Sequence, residues 1–251
     1  MNIAICLLCV EPNDIHVKFM NRISGNYTKF MLCDKSTGNY SSEKNNITFL
    51  NINEEECSNL GYKNSNCCIP KNPSAWDKVF YYFCEINTTF DYVWIIEDDV
   101  FIPSINTISY LDNTYGKADL LSKGNGLCTD LSSWSYWKEV IGKHQEPWYC
   151  SMVCSARISN KLFENIKKYV SNNKTLFFIE IMINTIAMNN NLLVKNPIEL
   201  STILPKPESG KRFRTCINGK MVWIPILEEI KINNLYHPLK DINLHDTYRI
   251  D

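Results

Sequence analysis

The sequence has no long hydrophobic run, no excess of charge of either sign and no glycine-rich nucleotide-binding motif. No apolar stretch approaches the roughly 18–20 residues that a membrane-spanning helix needs, so we expect no membrane span. Lys plus Arg number 26 and Asp plus Glu 27, which gives a net charge of −1. This balance argues against a protein that binds nucleic acid through bulk charge. The patterns of P-loop proteins, dinucleotide-binding folds, serine-hydrolase elbows and His-Glu-x-x-His zinc proteases are also absent.

Eleven cysteines are present, but their spacing matches no zinc site. Cys67-Cys68 and Cys150-x-x-x-Cys154 have no second half at the usual distance along the chain. The apolar segment from Ile3 to Val10 has no basic region before it, and an acid and a proline follow it. This pattern predicts a buried strand and not a signal peptide. We therefore expect reduced thiols and a cytoplasmic protein.

The composition also bears on the source of the protein. Asparagine, isoleucine and lysine are used heavily, which is typical of an AT-rich genome, and large DNA viruses are among the candidates. For a viral protein, the expected location is the cytoplasm of the host. Several Asn-x-Ser/Thr triplets are expected by chance in such a sequence, and none is interpreted as a glycosylation site.

Strands and helices alternate through the first hundred residues. The hydrophobic pattern predicts buried strands at 2–10, 28–34, 47–52 and 91–96, with helices at 13–24 and from a cap at Asn72 or Ser74 through residue 86. Polar segments at 36–46 and from the third strand to about residue 70 are predicted as loops. This alternation favours a largely parallel α/β sheet.

The order of elements is less regular after residue 104. The pattern predicts helices at 104–112, 159–171 and 177–190, strands at 118–122 and 148–156, and a hairpin at 214–223. The polar tail from Leu235 onward is predicted to pack little. A chain of 251 residues suits one large domain, or two small ones that share a core. The predicted fold is therefore α/β, with a Rossmann-type, mostly parallel central sheet flanked by helices and a mixed C-terminal half.

The strongest chemical signal is an acidic triplet at the end of a hydrophobic strand. The run Trp94-Ile95-Ile96 leads directly into Glu97, Asp98 and Asp99. In open α/β sheets, ligands bind at the carboxyl ends of the strands. Three adjacent carboxylates beside an apolar core are costly, and a divalent cation would offset them. Because side chains alternate along a strand, Glu97 and Asp99 should share one face and Asp98 the other. An acidic turn in solvent is the alternative.

The strand followed by Glu97-Asp98-Asp99-Val100 resembles the Asp-x-Asp-type motif of GT-A fold glycosyltransferases. It is especially similar to the Glu-Asp-Asp version of some N-acetylglucosaminyltransferases, and the resemblance covers roughly residues 1–100. It implies a GT-A-like fold with a single domain over 1–251, in which 1–103 binds the nucleotide sugar and 104–251 the acceptor. The implied activity is metal-dependent transfer of a hexosyl or N-acetylhexosaminyl group from a UDP-linked donor to a glycan or protein acceptor.

The resemblance also implies roles for the acids. Asp99 would bind Mn²⁺ (or Mg²⁺), Asp98 would lie near the ribose or the sugar, and Glu97 would help to orient the donor. Glu180, at the start of a predicted helix, is the candidate general base that removes the proton of the acceptor hydroxyl. The alternative for Glu180 is that an acid simply favours the N-terminus of a helix.

The tail supplies a second part of the implied metal site. His237 would complete the metal sphere, and Lys240, three residues later, would contact the diphosphate. Imidazole and carboxylate together suit Mn²⁺ better than Mg²⁺. His245 is a rival for the role of His237, and two exposed tail histidines are the alternative to both.

Four further residues are candidates for the nucleotide pocket. Val10 and Glu11 end the first predicted strand, Asp34 ends the second, and Lys78 lies on the helix that starts near Ser74. Solvated surface charges are the commoner explanation for Asp34 and Lys78. The aromatic residues Trp134, Trp137, Trp148 and Tyr149 would suit an acceptor subsite, since aromatic faces stack on sugar rings, or ordinary core packing. Arg157 could contact a phosphate or close an internal ion pair.

Two other functions remain open from the sequence. A nucleotidyltransferase that makes the activated sugar would usually carry a Gly-rich loop after the first strand, and the segment Cys9–Asp14 has no glycine. A non-catalytic protein that keeps the fold and binds a carbohydrate or a nucleotide sugar is the third possibility, because the acids and histidines alone do not show turnover.

Overall fold

The computed structural model describes residues 1–35, 46–66, 73–128, 135–203, 215–217, 220–222 and 230–251. Its strands are β1 Ile3–Cys9, β2 Tyr27–Cys33, β3 Ile47–Leu50, β4 Tyr92–Glu97, β5 Leu120–Leu127, β6 Tyr149–Ser159, β7 Val194–Lys195, β8 Thr215–Ile217 and β9 Lys220–Val222. Its helices are α1 Asp14–Arg22, α2 Glu54–Asn59, α3 Ala75–Tyr81, α4 Thr107–Tyr115, α5 Asn160–Asn173, α6 Ile179–Asn189 and α7 Ile242–Tyr248. A π-helical turn, Tyr82–Ile86, continues α3, and two 3₁₀ turns span Ser135–Glu139 and Ile198–Leu200.

Seven strands form one sheet in the order β3-β2-β1-β4-β6-β5-β7. The pairs β3-β2, β2-β1, β1-β4 and β5-β7 are parallel, whereas β6 runs antiparallel to both β4 and β5. This arrangement confirms the predicted α/β class, with a parallel N-terminal half and a mixed C-terminal half. β8 and β9 pair antiparallel as a separate hairpin, as predicted, and the turn residues Asn218-Gly219 lie outside the described residues.

Helices cover both faces of the sheet. Along β1, Ala4, Cys6 and Leu8 belong to the core that packs against α3, α5 and α6. Ile3, Ile5, Leu7 and Cys9 belong to the second core, which packs against α1 and α4. All seven residues of β1 are buried, since both faces of the strand are covered. This is why its sequence is a continuous apolar run and does not alternate between apolar and polar residues. Among the described residues, no helix is long and apolar enough to cross a membrane.

The start of α3 follows the local rules of helix capping. The side chain of Ser74 accepts a hydrogen bond from the backbone N–H of Asp77, and the carboxylate of Asp77 accepts one from the backbone N–H of Ser74. This reciprocal pair satisfies two backbone groups that a helix start otherwise leaves unpaired. Of the two predicted caps, Ser74 is therefore the one that forms, and Asn72 lies outside the described residues.

Helix α2 lies where the sequence predicts only a loop. Asn53 caps it by accepting hydrogen bonds from the backbone N–H groups of Glu55 and Glu56, and three acids occupy its first turn. Both features stabilise a helix N-terminus. Cys57 is the one buried residue of α2, so the helix has no apolar stripe. The prediction of a loop is wrong here because a helix without an apolar stripe gives no hydrophobic periodicity in the sequence.

The tail is also packed, contrary to the prediction. Phe101 and Tyr236 exchange backbone hydrogen bonds of 2.7 and 3.0 Å, which attaches the tail to the chain that follows β4. Leu235, Tyr236 and Leu239 are buried, and the last two form a small core with Phe101. The prediction failed because a few apolar side chains in a polar segment give no periodic signal.

A buried ion pair ties β6 to α4. Arg157, on β6, is fully buried and its Nη1 donates to Asp112 Oδ1 over 2.6 Å. Asp112 also accepts hydrogen bonds from Trp94 Nε1 and from the hydroxyl of Tyr27. Nη2 of Arg157 donates to the backbone carbonyls of Tyr115 and Ala118. Of the two sequence-based alternatives for Arg157, the structure shows the internal ion pair.

Removal of this carboxylate should destabilise the fold strongly. We expect Asp112→Ala to lower the free energy of unfolding by about 3–5 kcal/mol, because it leaves a fully buried guanidinium without its counter-charge. Urea unfolding would measure the loss. Glu164→Ala, an exposed site on α5, is the control and should stay within about 0.5 kcal/mol of the parent protein. Equal effects of the two substitutions would contradict the assignment.

Candidate functional site

The sheet itself places the acidic triplet at its carboxyl edge. β4 lies between β1 and β6, with Leu8 opposite Glu97 on one side and Ser155 opposite Ile96 on the other. Val93 to Ile96 are buried, and the strand ends at Glu97. The backbone N–H of Val100 then donates to the carbonyl of Glu97 over 3.0 Å, which closes a turn. Three half-buried carboxylates therefore come together where the buried strand meets solvent.

The three carboxylates do not share one environment. Burial, together with the charges of Asp99 and Glu97, raises the pKa of Asp98 to about 6. Burial and then the charge of Asp99 also raise the pKa of Glu97. Asp99 behaves in the opposite way: burial favours its neutral form, but His237 and Lys240 outweigh that effect and hold its pKa well below the usual range. Asp99 is thus the member of the triplet whose ionised form the surroundings favour most.

Asp99 faces the tail. Its Oδ1 is buried and receives no hydrogen bond of good geometry from the described residues, while His237 Nε2 lies 3.4 Å away. The ammonium group of Lys240 donates to the other oxygen, Oδ2. The backbone N–H of Leu239 donates to the carbonyl of Asp99 over 2.7 Å and fixes the tail in this position. A buried carboxylate oxygen without a donor, next to an imidazole, fits a divalent cation.

Glu97 faces a cysteine that the sequence analysis did not select. The antiparallel register ends with Ile96 paired to Ser155, which brings Cys154 close to Glu97 at the end of β4. One ligand atom each from Glu97, Cys154 and His237 lie within 4.8 Å of one another. Trp76 Nε1 donates to Glu97 Oε1 over 2.7 Å and orients that carboxylate. The spacing Cys150-x-x-x-Cys154 gave no signal, because the partner of Cys154 comes from strand pairing and not from a nearby residue.

The two tail histidines occupy different places, and neither is exposed. His237 lies beside Asp99. His245 is fully buried on α7, where its Nε2 lies 2.7 Å from the carbonyl oxygen of Leu239 and its ring packs edge-on against His16 and Phe101. Burial lowers the pKa of His245 to about 4. His237 therefore lies next to the acidic triplet, whereas His245 packs behind the tail segment that carries His237.

Glu180 belongs to the same electrostatic environment as the triplet. It lies in the first turn of α6 and is half-buried. Burial and then the charge of Glu97 raise its pKa to about 7, against a smaller opposing effect of His237. The same carboxylate adds to the raised pKa of Cys154, behind the larger effects of burial, Glu97 and Asp99. Glu180 thus lies within electrostatic reach of Glu97 and His237, on a helix of the C-terminal half of the chain.

Lys78 and Asp34, selected separately from the sequence, form one ion cluster. The side chain of Lys78 is 2% exposed, and its Nζ contacts Asp34 Oδ1 at 2.8 Å and Glu54 Oε1 at 2.7 Å. It also donates to the backbone carbonyl of Asp34. The expectation of solvated charges is wrong for Lys78, because its helix packs directly under the ends of β1 and β2. The sequence analysis did not select Glu54, because it did not predict helix α2, on which Glu54 lies.

The end of β1 lies at the same edge. The backbone N–H of Asp34 donates to the carbonyl of Cys9, and that of Lys35 donates to the carbonyl of Val10. Val10 is exposed, and Glu11 forms an exposed ion pair of 2.9 Å with Lys35. Both predicted residues therefore border the edge of the sheet on which the acidic triplet lies.

The expected aromatic acceptor platform is not formed by the described tryptophans. Trp137 and Trp148 are each 4% exposed and belong to the core beside α6. Tyr149 begins β6, where its backbone is tied to Thr185. Trp134 lies outside the described residues. Core packing is therefore the role that the structure shows for Trp137 and Trp148.

The buried ammonium of Lys78 should contribute measurably to stability. We expect Lys78→Met to lower the free energy of unfolding by about 1–3 kcal/mol, because Asp34 and Glu54 lose a desolvated partner while staying partly hydrated. Lys35→Met is the matched control, since its ion pair is exposed and should contribute less than about 1 kcal/mol. Chemical denaturation of both variants would make the comparison, and an equal loss would refute the distinction.

Comparison with solved structures gives matches of low sequence identity. Mouse xyloside xylosyltransferase 1 is 6% identical, with 81% of this chain and 87% of that chain covered and a TM-score of 0.42. The galactosyltransferase LgtC, solved with donor and acceptor sugar analogues, is 14% identical over 77% and 72%, with a TM-score of 0.40. A mycobacterial protein is 10% identical over 97% and 88%, with a TM-score of 0.36. No protein-family model and no curated protein sequence matches. These values assign no family to the chain.

Proposed function

We propose that this protein is a metal-dependent glycosyltransferase. It transfers a hexosyl or N-acetylhexosaminyl group from a nucleotide sugar, UDP-linked, to a glycan or protein acceptor. The observation that carries the proposal is the buried Asp99 carboxylate, with an unsatisfied oxygen facing His237, at the carboxyl edge of the central strand. In this proposal residues 1–103 form the donor half and residues 104–251 the acceptor half of a cytoplasmic enzyme.

Asp99 and His237 would hold the cation. Carboxylate and imidazole are suitable ligands for Mn²⁺ and less so for Mg²⁺, which prefers oxygen ligands and water. When bound, the cation supplies Lewis acidity that neutralises the diphosphate leaving group. Asp99 is suited to this role because its carboxylate stays ionised at neutral pH.

The donor would lie along the edge formed by β1, β2 and β4. The side chain of Lys240 is 58% exposed, so its ammonium is free to turn from Asp99 towards a diphosphate. In the proposal, Asp98 contacts the ribose or the sugar, and Glu97, held by Trp76, orients the donor. The residues that would border the nucleoside are Val10, Glu11, Asp34 and Lys78, of which the last two are locked together by their ion pair.

Glu180 would act as the general base. Its carboxylate would take the proton of the acceptor hydroxyl while that oxygen attacks the anomeric carbon, and the transfer would then invert the configuration. A base works best when its pKa lies near the working pH, and burial raises that of Glu180 to about 7. Its position on α6, within electrostatic reach of Glu97, supports this role.

Nucleotide and metal should stabilise the protein together. We expect UDP with Mn²⁺, at about 100 times its dissociation constant, to add about 2.7 kcal/mol, or roughly 5–10 °C in melting temperature for a chain of this size. Thermal unfolding with a panel of nucleoside diphosphates, with and without Mn²⁺, would measure this. Asp99→Asn should abolish the Mn²⁺-dependent shift, whereas Asp14→Asn, on the exposed start of α1, should keep it.

Three outcomes of that panel and of product analysis would count against the proposal. A folded protein with no shift for any nucleotide would exclude a nucleotide-sugar enzyme. Release of pyrophosphate, in place of a nucleoside diphosphate, would identify a nucleotidyltransferase. Binding of UDP-sugar and Mn²⁺ with neither hydrolysis nor transfer would identify a non-catalytic binding protein.

Glu180→Gln should separate chemistry from binding. We expect kcat to fall by roughly 10²–10⁴-fold, the usual contribution of a general base, because the amide cannot accept the proton. The UDP- and Mn²⁺-dependent thermal shift should be unchanged, since Glu180 binds neither. Glu164→Gln, on the exposed face of α5, is the control. Unchanged turnover of Glu180→Gln would exclude the assigned base.

A further inference from the structure

Cys154 has no part in the proposed transfer, yet it lies in a group of three side chains whose ligand atoms could hold a metal ion. Its thiol is 6% exposed on β6, opposite the end of β4. Glu97, His237 and Cys154 each present a ligand atom within 4.8 Å of the others. Burial and then the charges of Glu97 and Asp99 raise the pKa of this thiol. Without a cation, the sulfur therefore stays protonated against a carboxylate.

The donor set of these three residues differs from that of Asp99 and His237. A thiolate is a soft ligand that selects Zn²⁺ and related cations, whereas Mn²⁺ favours carboxylate oxygens. Cys, His and one carboxylate are common ligands of zinc, with bonds of about 2.0–2.3 Å. Ligand atoms around such an ion lie about 3.3–3.8 Å apart. The three ligand atoms already lie within 4.8 Å of one another, so they need to approach by at most about 1.5 Å. Trp76 Nε1 orients the carboxylate of Glu97 through a 2.7 Å hydrogen bond to Oε1.

We propose that Glu97, Cys154 and His237 form a binding site for Zn²⁺ that shares His237 with the Mn²⁺ site. Both sites draw on the imidazole of His237, and two divalent cations held by one side chain this close to each other repel strongly, so each cation disfavours binding of the other. On binding, the sulfur–hydrogen bond breaks, its proton passes to solvent, and a sulfur–zinc bond forms without any redox change. The competition with Mn²⁺ rests on the proposed function, whereas the zinc site itself does not. Zinc would then act as an inhibitor of the proposed enzyme.

The zinc site is tested with Co²⁺ as a spectroscopic probe. A Co²⁺ titration of the full chain should give a sulfur-to-cobalt charge-transfer band that saturates at one ion per protein. Cys154→Ser, which keeps the size of the side chain, should lose this band. Cys128→Ser, at a cysteine outside the three-residue group, is the matched control and should keep it. Circular dichroism would check that both variants fold. A band that persists in folded Cys154→Ser would overturn the proposal.

The competition is tested with Mn²⁺ itself. Zn²⁺ added to the Mn²⁺-loaded protein should release Mn²⁺, seen as the return of the free-ion electron paramagnetic resonance signal. In Cys154→Ser the Zn²⁺ concentration for half-release should rise at least tenfold, while the affinity for Mn²⁺ should stay within about twofold. Equal release by Zn²⁺ in both proteins would overturn the proposal.

The two proposals fail in different ways. Binding of Mn²⁺ without a cobalt–thiolate band overturns the zinc site and leaves the proposed function intact. A cobalt–thiolate band without Mn²⁺ binding supports the zinc site and counts against the metal-dependent transferase. A folded protein that binds neither ion overturns both.

Discussion

Mutual repulsion among three carboxylates at the end of a buried strand is the constraint on which the rest of the site depends. Glu97, Asp98 and Asp99 follow an apolar run with no polar residue between, so at least part of their charge is desolvated. The protein offsets this charge unevenly. Asp99 is kept ionised by His237 and Lys240, while the pKa values of the other two are raised. One carboxylate is thereby prepared as a ligand.

The tail supplies His237 and Lys240, which offset the charge of Asp99, and backbone contacts hold the tail in the position where they do so. A backbone bridge between Phe101 and Tyr236 and a hydrogen bond from Leu239 to Asp99 attach the tail to the residues just after the triplet. The buried ring of His245, against the carbonyl of Leu239, supports the same segment from behind. The placement of His237 is therefore a consequence of packing over more than 130 residues of sequence separation, and not of its neighbours in the chain.

The same edge of the sheet joins two otherwise separate groups of residues. The ammonium group of Lys78 forms ion pairs with Asp34, at the end of β2, and with Glu54, at the start of α2. On the other side, β6 brings Cys154 close to Glu97 because it runs antiparallel to β4. A strand of opposite direction within a mostly parallel sheet thus places a thiol beside the carboxylates. This juxtaposition is what gives the site a second, softer set of ligands.

The sequence by itself determined the parallel half of the sheet, the start of α3 at a cap that is either Asn72 or Ser74, and the acidic triplet at the end of β4, because apolar runs, caps and turns are local signals. It did not reveal α2, which has no apolar stripe, or the packed tail. The resemblance named His237 or its rival His245 for the metal site, and only the tertiary structure decided that His237 lies beside Asp99 and that Cys154 lies near Glu97. These pairs depend on strand register and on long-range chain contacts, which leave no mark in local composition or spacing.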